Sequence, residues 1–201
     1  MHYPLDERDE ELLKGIRRGE QSAMKSLYDT YIGYLRGVVT RYVPDTAFCQ
    51  DILQETFVRV FTLLDSFEYR GKGSLRAWMT RIAINESLGY LRKEKRTVLL
   101  DDQKLSDIED SETEEYCEDD LEANDIPVEQ LMDFIKALPD GFRMVFNLYV
   151  IEGKSHKEIA TLLGISEGTS ASQYHRARKR LAQMVMEYRR TRLLENHKSR
   201  K

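Results

Sequence analysis

The order of apolar and polar residues along this chain has the spacing of amphipathic helices over most of its length. Leu12, Leu13 and Ile16 recur at helical spacing in a first predicted helix, which Gly19 ends. A second helix has an apolar stripe whose members stand three or four residues apart: Ala23, Leu27, Tyr31, Leu35 and Val38. Pro44 and Asp45 break the chain after it. Both helices are expected to bury their apolar sides in the core of a helical lobe.

A third helix is predicted from about Thr46 to Ser66, with an acidic outer face. Its inward positions are Ile52, Leu53, Thr56, Phe57, Val60, Phe61 and Leu64. The opposite face holds Asp51, Gln54, Glu55 and Arg59. This face is either a docking surface for a basic partner or a solvated face with a Glu55–Arg59 ion pair, worth only about 0.2–0.5 kcal/mol. The residues by themselves favour the solvated face.

A glycine-containing loop precedes a fourth predicted helix. Gly71 and Gly73 allow the loop backbone unusual dihedral angles, and Ser74 is expected to cap the helix. Trp78 falls within an apolar stripe and is expected in the core, whereas Tyr69 on the loop is the better candidate for stacking on a base. The polar edges of the helix carry Arg76 and Thr80 on one side, and Arg81, Asn85 and Arg92 on the other.

The stretch 67–96, which spans this loop and helix, mixes cations with aromatic rings. It contains eight Lys or Arg residues, with Phe67, Tyr69, Trp78 and Tyr90 among them. Cationic surfaces attract phosphates and aromatic rings stack on unpaired bases, so the stretch fits a single-stranded or opened nucleic acid. A tryptophan-containing core helix with solvated basic flanks explains the same residues equally well.

Helical periodicity stops in residues 97–126, which carry 13 acidic side chains and one basic side chain. This composition predicts a disordered linker between two lobes. Residues 1–96 carry a net charge of +2 and residues 127–201 carry +6, so two mildly basic lobes flank a polyanion. The linker is either a solubilising tether or a competitor of nucleic acid for a cationic channel.

Residues 127–186 have the order of a helix-turn-helix lobe. Two short amphipathic helices come first; Ser155 and Glu158 then have the spacing of a capping box. Gly164 makes a turn, and Ser166 is placed to cap the last helix. That helix has a core stripe of Ser170, Tyr174, Ala177 and Leu181. Its other side holds Thr169, Ser172, Gln173, Arg176 and Arg180.

Gln, Arg and hydroxyl side chains on a second helix suit the major groove of DNA, where they contact base edges and phosphates. The alternative is a helical hairpin with a solvated outer face. Because the capping box, glycine turn and polar helix occur together, DNA binding is favoured. The basic tail, residues 187–201, is expected to fray and to add phosphate contacts.

Composition favours an all-α protein, with 33% charged residues and only four prolines. Cys49 and Cys117 are far apart and predict free thiols in a reducing cytoplasm. The first ten residues lack the apolar core of a signal peptide and no apolar run approaches about 20 residues, so a soluble intracellular protein is expected. The four histidines are scattered, and no metal-ligand, phosphate-loop or catalytic motif is present. No enzyme activity, cofactor or metal is predicted.

Three of these segments resemble parts of one family. DILQETFVRVF (51–61) is similar to the polymerase-docking helix of RNA polymerase sigma factors in the sigma-70 superfamily, extracytoplasmic-function (ECF) group. The stretch 67–96 resembles the promoter-melting segment of that family. Residues 138–181, LPDGFRMVF through RKRL, are similar to its C-terminal helix-turn-helix lobe. The three segments stand in the family's order, which makes the resemblance specific.

The resemblance implies partners and site residues. Core RNA polymerase is expected to bind Asp51, Gln54, Glu55, Phe57 and Phe61. The minus-ten element, as melted non-template strand, is expected at Tyr69, Arg70, Lys72, Arg76, Arg81, Asn85, Arg92 and Arg96. The duplex minus-thirty-five element is expected at Ser155, Thr169, Ser172, Gln173, Arg176 and Arg180. An anti-sigma factor is a further candidate partner. The runner-up function is an autonomous helix-turn-helix regulator that does not join core polymerase.

The implied architecture has an N-terminal lobe at 8–96, an acidic linker at 97–126 and a C-terminal lobe at 127–186. By family likeness the linker would pass through polymerase channels. The chain departs from the family pattern in three places. TAFCQDILQE stands where an acidic run is usual, Ser170 replaces a usual aliphatic residue, and Ala171 stands where a basic residue is common.

Overall fold

The computed structural model describes residues 8–94 and 125–198, and every regular element in these two ranges is helical, as the periodicity predicted. The chain divides between residues 94 and 95 into two compact units. The first contains α1 (Asp9–Arg17), α2 (Gln21–Tyr42), α3 (Thr46–Leu63) and α4 (Ser74–Glu94). The second contains α5 (Val128–Ala137), α6 (Asp140–Phe146), α7 (His156–Leu163) and α8 (Glu167–Lys198). No helix in the two described ranges is both long and apolar enough to cross a membrane.

In the N-terminal unit, α2 lies at the centre and packs against α1, α3 and α4. All five residues of its predicted apolar stripe are buried. Tyr31 is fully buried there, and its hydroxyl donates a 2.6 Å hydrogen bond to Oδ1 of the buried Asp9. This bond joins α1 to the central helix and gives a buried carboxylate the partner that it requires. Asp45 caps α3 by accepting from the Ala47 amide at 2.9 Å.

The segment between α3 and α4 begins as one 3₁₀ turn (Leu64–Ser66) and then forms the glycine loop. Arg17 Nη2 donates to the Phe67 carbonyl at 2.7 Å, which anchors the start of the loop to α1. Gly71 and Gly73 have φ of +98° and +83°, a region that side chains with a Cβ rarely adopt. These contacts and dihedral angles define the shape of the loop.

The expected role of Ser74 as a helix cap needs correction. Its hydroxyl donates to the Gly71 carbonyl at 2.6 Å and accepts from the Arg70 amide at 3.2 Å. Both partners belong to the loop, because the positive φ at the two glycines folds the chain back over Ser74. Ser74 therefore closes the loop instead of capping the first turn of α4.

The C-terminal unit has a core formed by Leu138 at the end of α5, Phe142 of α6, and Ala177 and Leu181 of α8. The predicted capping box is confirmed: the Glu158 amide donates to Ser155 Oγ, and the Ser155 amide donates to Glu158 Oε2 at 2.8 Å. The Ser155 amide and the Ser155 hydroxyl both donate to the Glu158 carboxylate, and they lower its pKa because they stabilise the charged form. Gly164 adopts φ +71° at the turn, and Ser166 Oγ accepts from the Thr169 amide at 2.9 Å, as expected of a cap.

The predicted fraying of the basic tail is wrong for residues 187–198, since α8 continues to Lys198. The helix is held by packing beyond Leu181. Tyr188 packs edge-on against Phe134 of α5, with ring centroids 6.0 Å apart. Arg189 Nη2 lies 2.7 Å from Asp125 Oδ1, and this ion pair lowers the pKa of Asp125. Ile126, assigned to the linker from sequence, is buried.

Candidate functional site

The acidic face of α3 is exposed and has no partner within the described parts of the chain. Asp51, Gln54 and Glu55 project to solvent and make no hydrogen bond or ion pair there. Arg59, which lies one turn after Glu55, pairs with Glu86 of α4 at 2.6 Å instead. The Glu55–Arg59 pair assumed for a solvated face is therefore absent. The carboxylates are free to bind a cation.

An aromatic layer lies beneath this face. Phe57 is only 4% exposed, so it supports the surface from within the lobe. Its ring centroid lies 4.6 Å from that of Tyr28, which is 43% exposed, and 6.2 Å from that of the half-buried Phe61. Val58 is exposed between the polar residues. The surface open to a partner thus consists of two carboxylates and an amide, flanked by the exposed side chains of Tyr28 and Val58.

The two polar edges of α4 differ in their surroundings. Arg76 lies over the Tyr34 ring, 5.8 Å from its centroid, and Thr80 Oγ1 is 3.2 Å from the Tyr34 hydroxyl. This edge is packed against α2. Arg81 and Asn85 are exposed one turn apart on the other edge, and with Arg92 they have no hydrogen-bonding partner in the described chain. The open edge presents two guanidinium groups and an amide for a ligand.

The predicted contact residues of the glycine loop differ in their exposure and in their contacts within the protein. Tyr69 is half-buried and lines a cleft between the loop and α1, together with Lys14 and Arg17. Arg70 is exposed and pairs with Glu68 at 3.2 Å, and Lys72 is exposed. Arg96 lies outside the described residues.

Trp78 is half-buried, not fully buried as its apolar stripe predicted. It packs on Phe67, with ring centroids 4.8 Å apart. One part of its ring system therefore supports the start of the loop while another part remains accessible. The apolar stripe of α4 correctly predicted the side on which Trp78 packs. It did not predict how deeply Trp78 is buried, because its partner Phe67 belongs to the loop and not to a helix.

On α8 the structure corrects the predicted reading face. Gln173 is buried, 5% exposed, with its amide atoms against Gly141 of α6 and no hydrogen-bonding partner for Oε1 in the described chain. It therefore cannot reach a base edge from this position. Its spacing of three and four residues from Ser170 and Ala177 places it in the same buried stripe.

The remaining predicted residues lie at the surface in varying degree. Thr169, Ser172 and Arg176 are half-exposed, and Ser155 and Arg180 are exposed. Arg176 Nη1 is itself buried without a hydrogen-bonding partner. Arg180 Nη1 donates to Gln183 at 3.3 Å.

His175 was not among the residues predicted from sequence. It is exposed on α8, three residues after Ser172 and four after the exposed Ala171, so these three share one face. Once Gln173 is assigned to the core, helical spacing alone identifies this face. An imidazole there can donate to or accept from a base edge.

The described ranges hold no group of three or more His, Cys, Asp or Glu residues placed to bind a metal ion. Cys49 is buried in the N-terminal unit, and burial raises the pKa of its thiol.

Comparison with known proteins identifies both units. The family model described as Sigma-70 region 2 matches residues 27–97, and that described as Sigma-70, region 4 matches residues 128–181. The RNA polymerase sigma-H factor of Pseudomonas aeruginosa is 30% identical over 185 residues, which cover 86% of this chain and 91% of that protein. The ECF RNA polymerase sigma-E factor of Haemophilus influenzae is 28% identical over 182 residues, which cover 88% and 95%.

The chain is also similar to a protein of known structure. It is the sigma factor RpoE in complex with the anti-sigma factor NepR from Bartonella quintana. Its chain is 23% identical to this one, with a TM-score of 0.46, and the match covers 81% of this chain and 96% of that chain.

Proposed function

The chain belongs to the sigma-70 family, in its ECF group, and from that premise we propose how its two lobes divide the work of transcription initiation. As a sigma factor it directs promoter-specific transcription, with core RNA polymerase and promoter DNA as partners. In our proposal the N-terminal lobe docks on core enzyme and captures one DNA strand. The C-terminal lobe reads duplex DNA. The protein acts in the cytoplasm and catalyses no covalent step itself.

The free acidic face of α3 is the observation that carries the proposal. An autonomous DNA-binding regulator has no use for it, whereas a sigma factor needs a surface that binds core enzyme. Asp51, Gln54 and Glu55 supply charge and hydrogen bonding. Phe57 and Phe61 lie beneath and beside them and hold the helix face in place. Complementary charge at such a surface speeds association and selects the partner.

For the minus-ten element, we assign the strand path to the open edge of α4 and the adjoining loop. Arg81 and Arg92 would bind phosphates, and Asn85 would hydrogen-bond to an unpaired base. Tyr69 would stack on a base that has left the duplex, with Arg70 and Lys72 of the exposed loop nearby in sequence. Unstacking a base costs a few kcal/mol, which these contacts offset. Arg76 supports the helix through Tyr34.

For the minus-thirty-five element, α8 is the reading helix, with Ser172, His175 and Arg176 nearest the bases. Ser155, at the start of α7, and Arg180 would contact phosphates, which position the lobe on the duplex. Residues 97–126, with 13 acidic side chains and one basic, suit a polymerase channel built to hold a polyanion. An inhibitory anti-sigma factor remains a candidate partner on family grounds.

The test is transcription in vitro with purified core polymerase and a library of genomic fragments. We expect transcripts that require both this protein and core enzyme and that start at a shared pair of promoter elements. Duplex binding without any core-dependent transcript would contradict the proposal and support an autonomous regulator. The same experiment yields the promoter sequences with which variants of the protein can be tested.

A further inference from the structure

Ser170, at the position where the family usually has an aliphatic residue, is fully buried on α8. Its Oγ lies 3.0 Å from Nδ1 of His156, the first residue of α7. A buried hydroxyl is unfavourable without a partner, so the imidazole explains how a serine is tolerated in this stripe. The bond joins the first helical turns of the two helix-turn-helix elements.

His156 is held by two further contacts. Its ring stacks on that of Tyr149, with centroids 4.6 Å apart and planes 17° apart. Tyr149 belongs to the turn of π-helix that follows α6 (Asn147–Ile151). The Tyr174 ring of α8 lies 5.9 Å from the imidazole and 4.4 Å from the Tyr149 ring. His156, the first residue of α7, thus contacts both the turn of π-helix and α8.

We propose that His156 and Ser170 are a positioning pair that sets the orientation of the reading helix relative to α7. Apolar packing is non-directional, whereas a hydrogen bond fixes both distance and angle. His156 directly follows Ser155, the proposed phosphate contact, and Ser170 lies two residues before Ser172 on the reading helix. The pair therefore links Ser155, which would hold the lobe on the DNA backbone, to the residues of α8 that would contact bases. This inference rests on the proposed minus-thirty-five function.

The test uses full-length protein in holoenzyme with core polymerase, and duplexes carrying the best minus-thirty-five site or single-base variants of it. The variants are Ser170→Val, His156→Phe and the double variant. We expect each single change to reduce the preference for the best site by about threefold to tenfold. The double variant should recover much of it, because removing both bonding groups together leaves neither unpaired. Thermal unfolding of each variant verifies that it is folded.

Thr161→Val is the matched control. The Thr161 hydroxyl is exposed and bonds only to the Lys157 carbonyl within α7, at 3.1 Å, so its removal should leave the preference unchanged. The inference would be overturned if the single variants kept the wild-type preference or lost affinity equally for all sites. It would also be overturned if the double variant lost as much preference as the two single variants together. If wild-type holoenzyme shows no preference among minus-thirty-five sequences, the proposed minus-thirty-five function is wrong, and the inference about His156 and Ser170 is lost with it.

Discussion

Arg59 Nε lies 2.6 Å from Glu86 Oε1, so the cation on α3 is bound to α4 and not to Glu55 on its own helix. The Glu86 side chain is 20% exposed, whereas that of Arg59 is 61% exposed. This pair buttresses α3 against α4. It also leaves Glu55 and Asp51 without a counter-ion in the described chain, which is the electrostatic condition for docking a basic partner.

Glu55→Lys should weaken binding to core polymerase by roughly tenfold or more, since it places a cation where the partner's cation is expected. Fluorescence titration of labelled protein with core enzyme measures the change. The free energy of unfolding should move by no more than about 0.5 kcal/mol, because Glu55 is exposed and unpaired. Glu11→Lys, at an exposed position on α1, is the control. Equal affinity of the Glu55 variant and wild type would remove α3 from the docking surface.

Arg81→Ala should reduce holoenzyme affinity for a single-stranded minus-ten oligonucleotide. If Arg81 binds one phosphate, the slope of log affinity against log salt should fall by about 0.7. Filter binding over a series of salt concentrations measures it. Lys25→Ala removes a cation that is highly exposed on α2 and paired only weakly with Asp29 at 4.0 Å, and it should leave the slope unchanged. An unchanged slope for the Arg81 variant would place the strand elsewhere.

Gln173→Met should stabilise the protein by about 1 kcal/mol, because a thioether of similar size replaces a buried amide whose Oε1 has no hydrogen-bonding partner in the described chain. Chemical denaturation measures the gain. The base preference at the minus-thirty-five element should stay as in wild type. A lost preference would mean that Gln173 leaves the core to contact DNA.

Arg176→Ala should instead cost about 1–3 kcal/mol in binding the best minus-thirty-five site and relax the preference at one base position. His175→Ala should relax the preference with no change in stability, since the side chain is exposed. Competition binding with single-base variants separates these effects. Uniform loss over all duplexes would reassign either residue to phosphate contact.

Helix periodicity predicted the buried stripes well, because burial of one face follows directly from spacing along a single helix. The stripe of α2 and the capping box at Ser155 are confirmed. Gln173 was misassigned because polarity was taken as a sign of exposure, whereas the close approach of Gly141 creates room for a buried amide. Only the fold brings Gly141 to α8.

Contacts between elements could not be predicted from local patterns. Helical spacing made Glu55 the expected partner of Arg59, but the ion pair forms with Glu86 because α3 packs on α4. The helical C-terminal part of α8 likewise depends on Asp125 and Phe134, which are distant in sequence from their partners. Charge composition alone suggested a frayed tail, but tertiary contacts stabilise this part of the chain as a helix.

The stability of the capping box should depend on pH. The pKa of Glu158 is lowered in the folded protein, so the unfolded chain binds its proton more readily. The contribution of Glu158 is complete above its ordinary value of 4.5 and is lost as the pH falls through the lowered value. The protection factors of the α7 amides, which are corrected for the intrinsic slowing of exchange in acid, should therefore fall in acid, and less so in Glu158→Gln. Glu129→Gln, in the first turn of α5, is the control; equal acid sensitivity of all three proteins would contradict this.

Arg189→Glu should speed amide exchange in the C-terminal part of α8, because it repels Asp125 where wild type forms an ion pair. The double variant Asp125→Lys with Arg189→Glu restores opposite charges and should slow exchange again. Exchange that is unaffected by either change would show that Tyr188 and the packing on α5 hold this part of the helix alone.

Since α8 is one continuous helix, Arg176 and Arg189 stand at a separation of about 20 Å, at 1.5 Å per residue. In the proposed function this one helix carries both the residues that contact bases and the ion pair to Asp125, close to the C-terminal end of the acidic linker. A change in the tilt of α8 in the groove would then move the end of the linker with it. We therefore expect the promoter spacing that the protein tolerates to depend on the length and stiffness of α8.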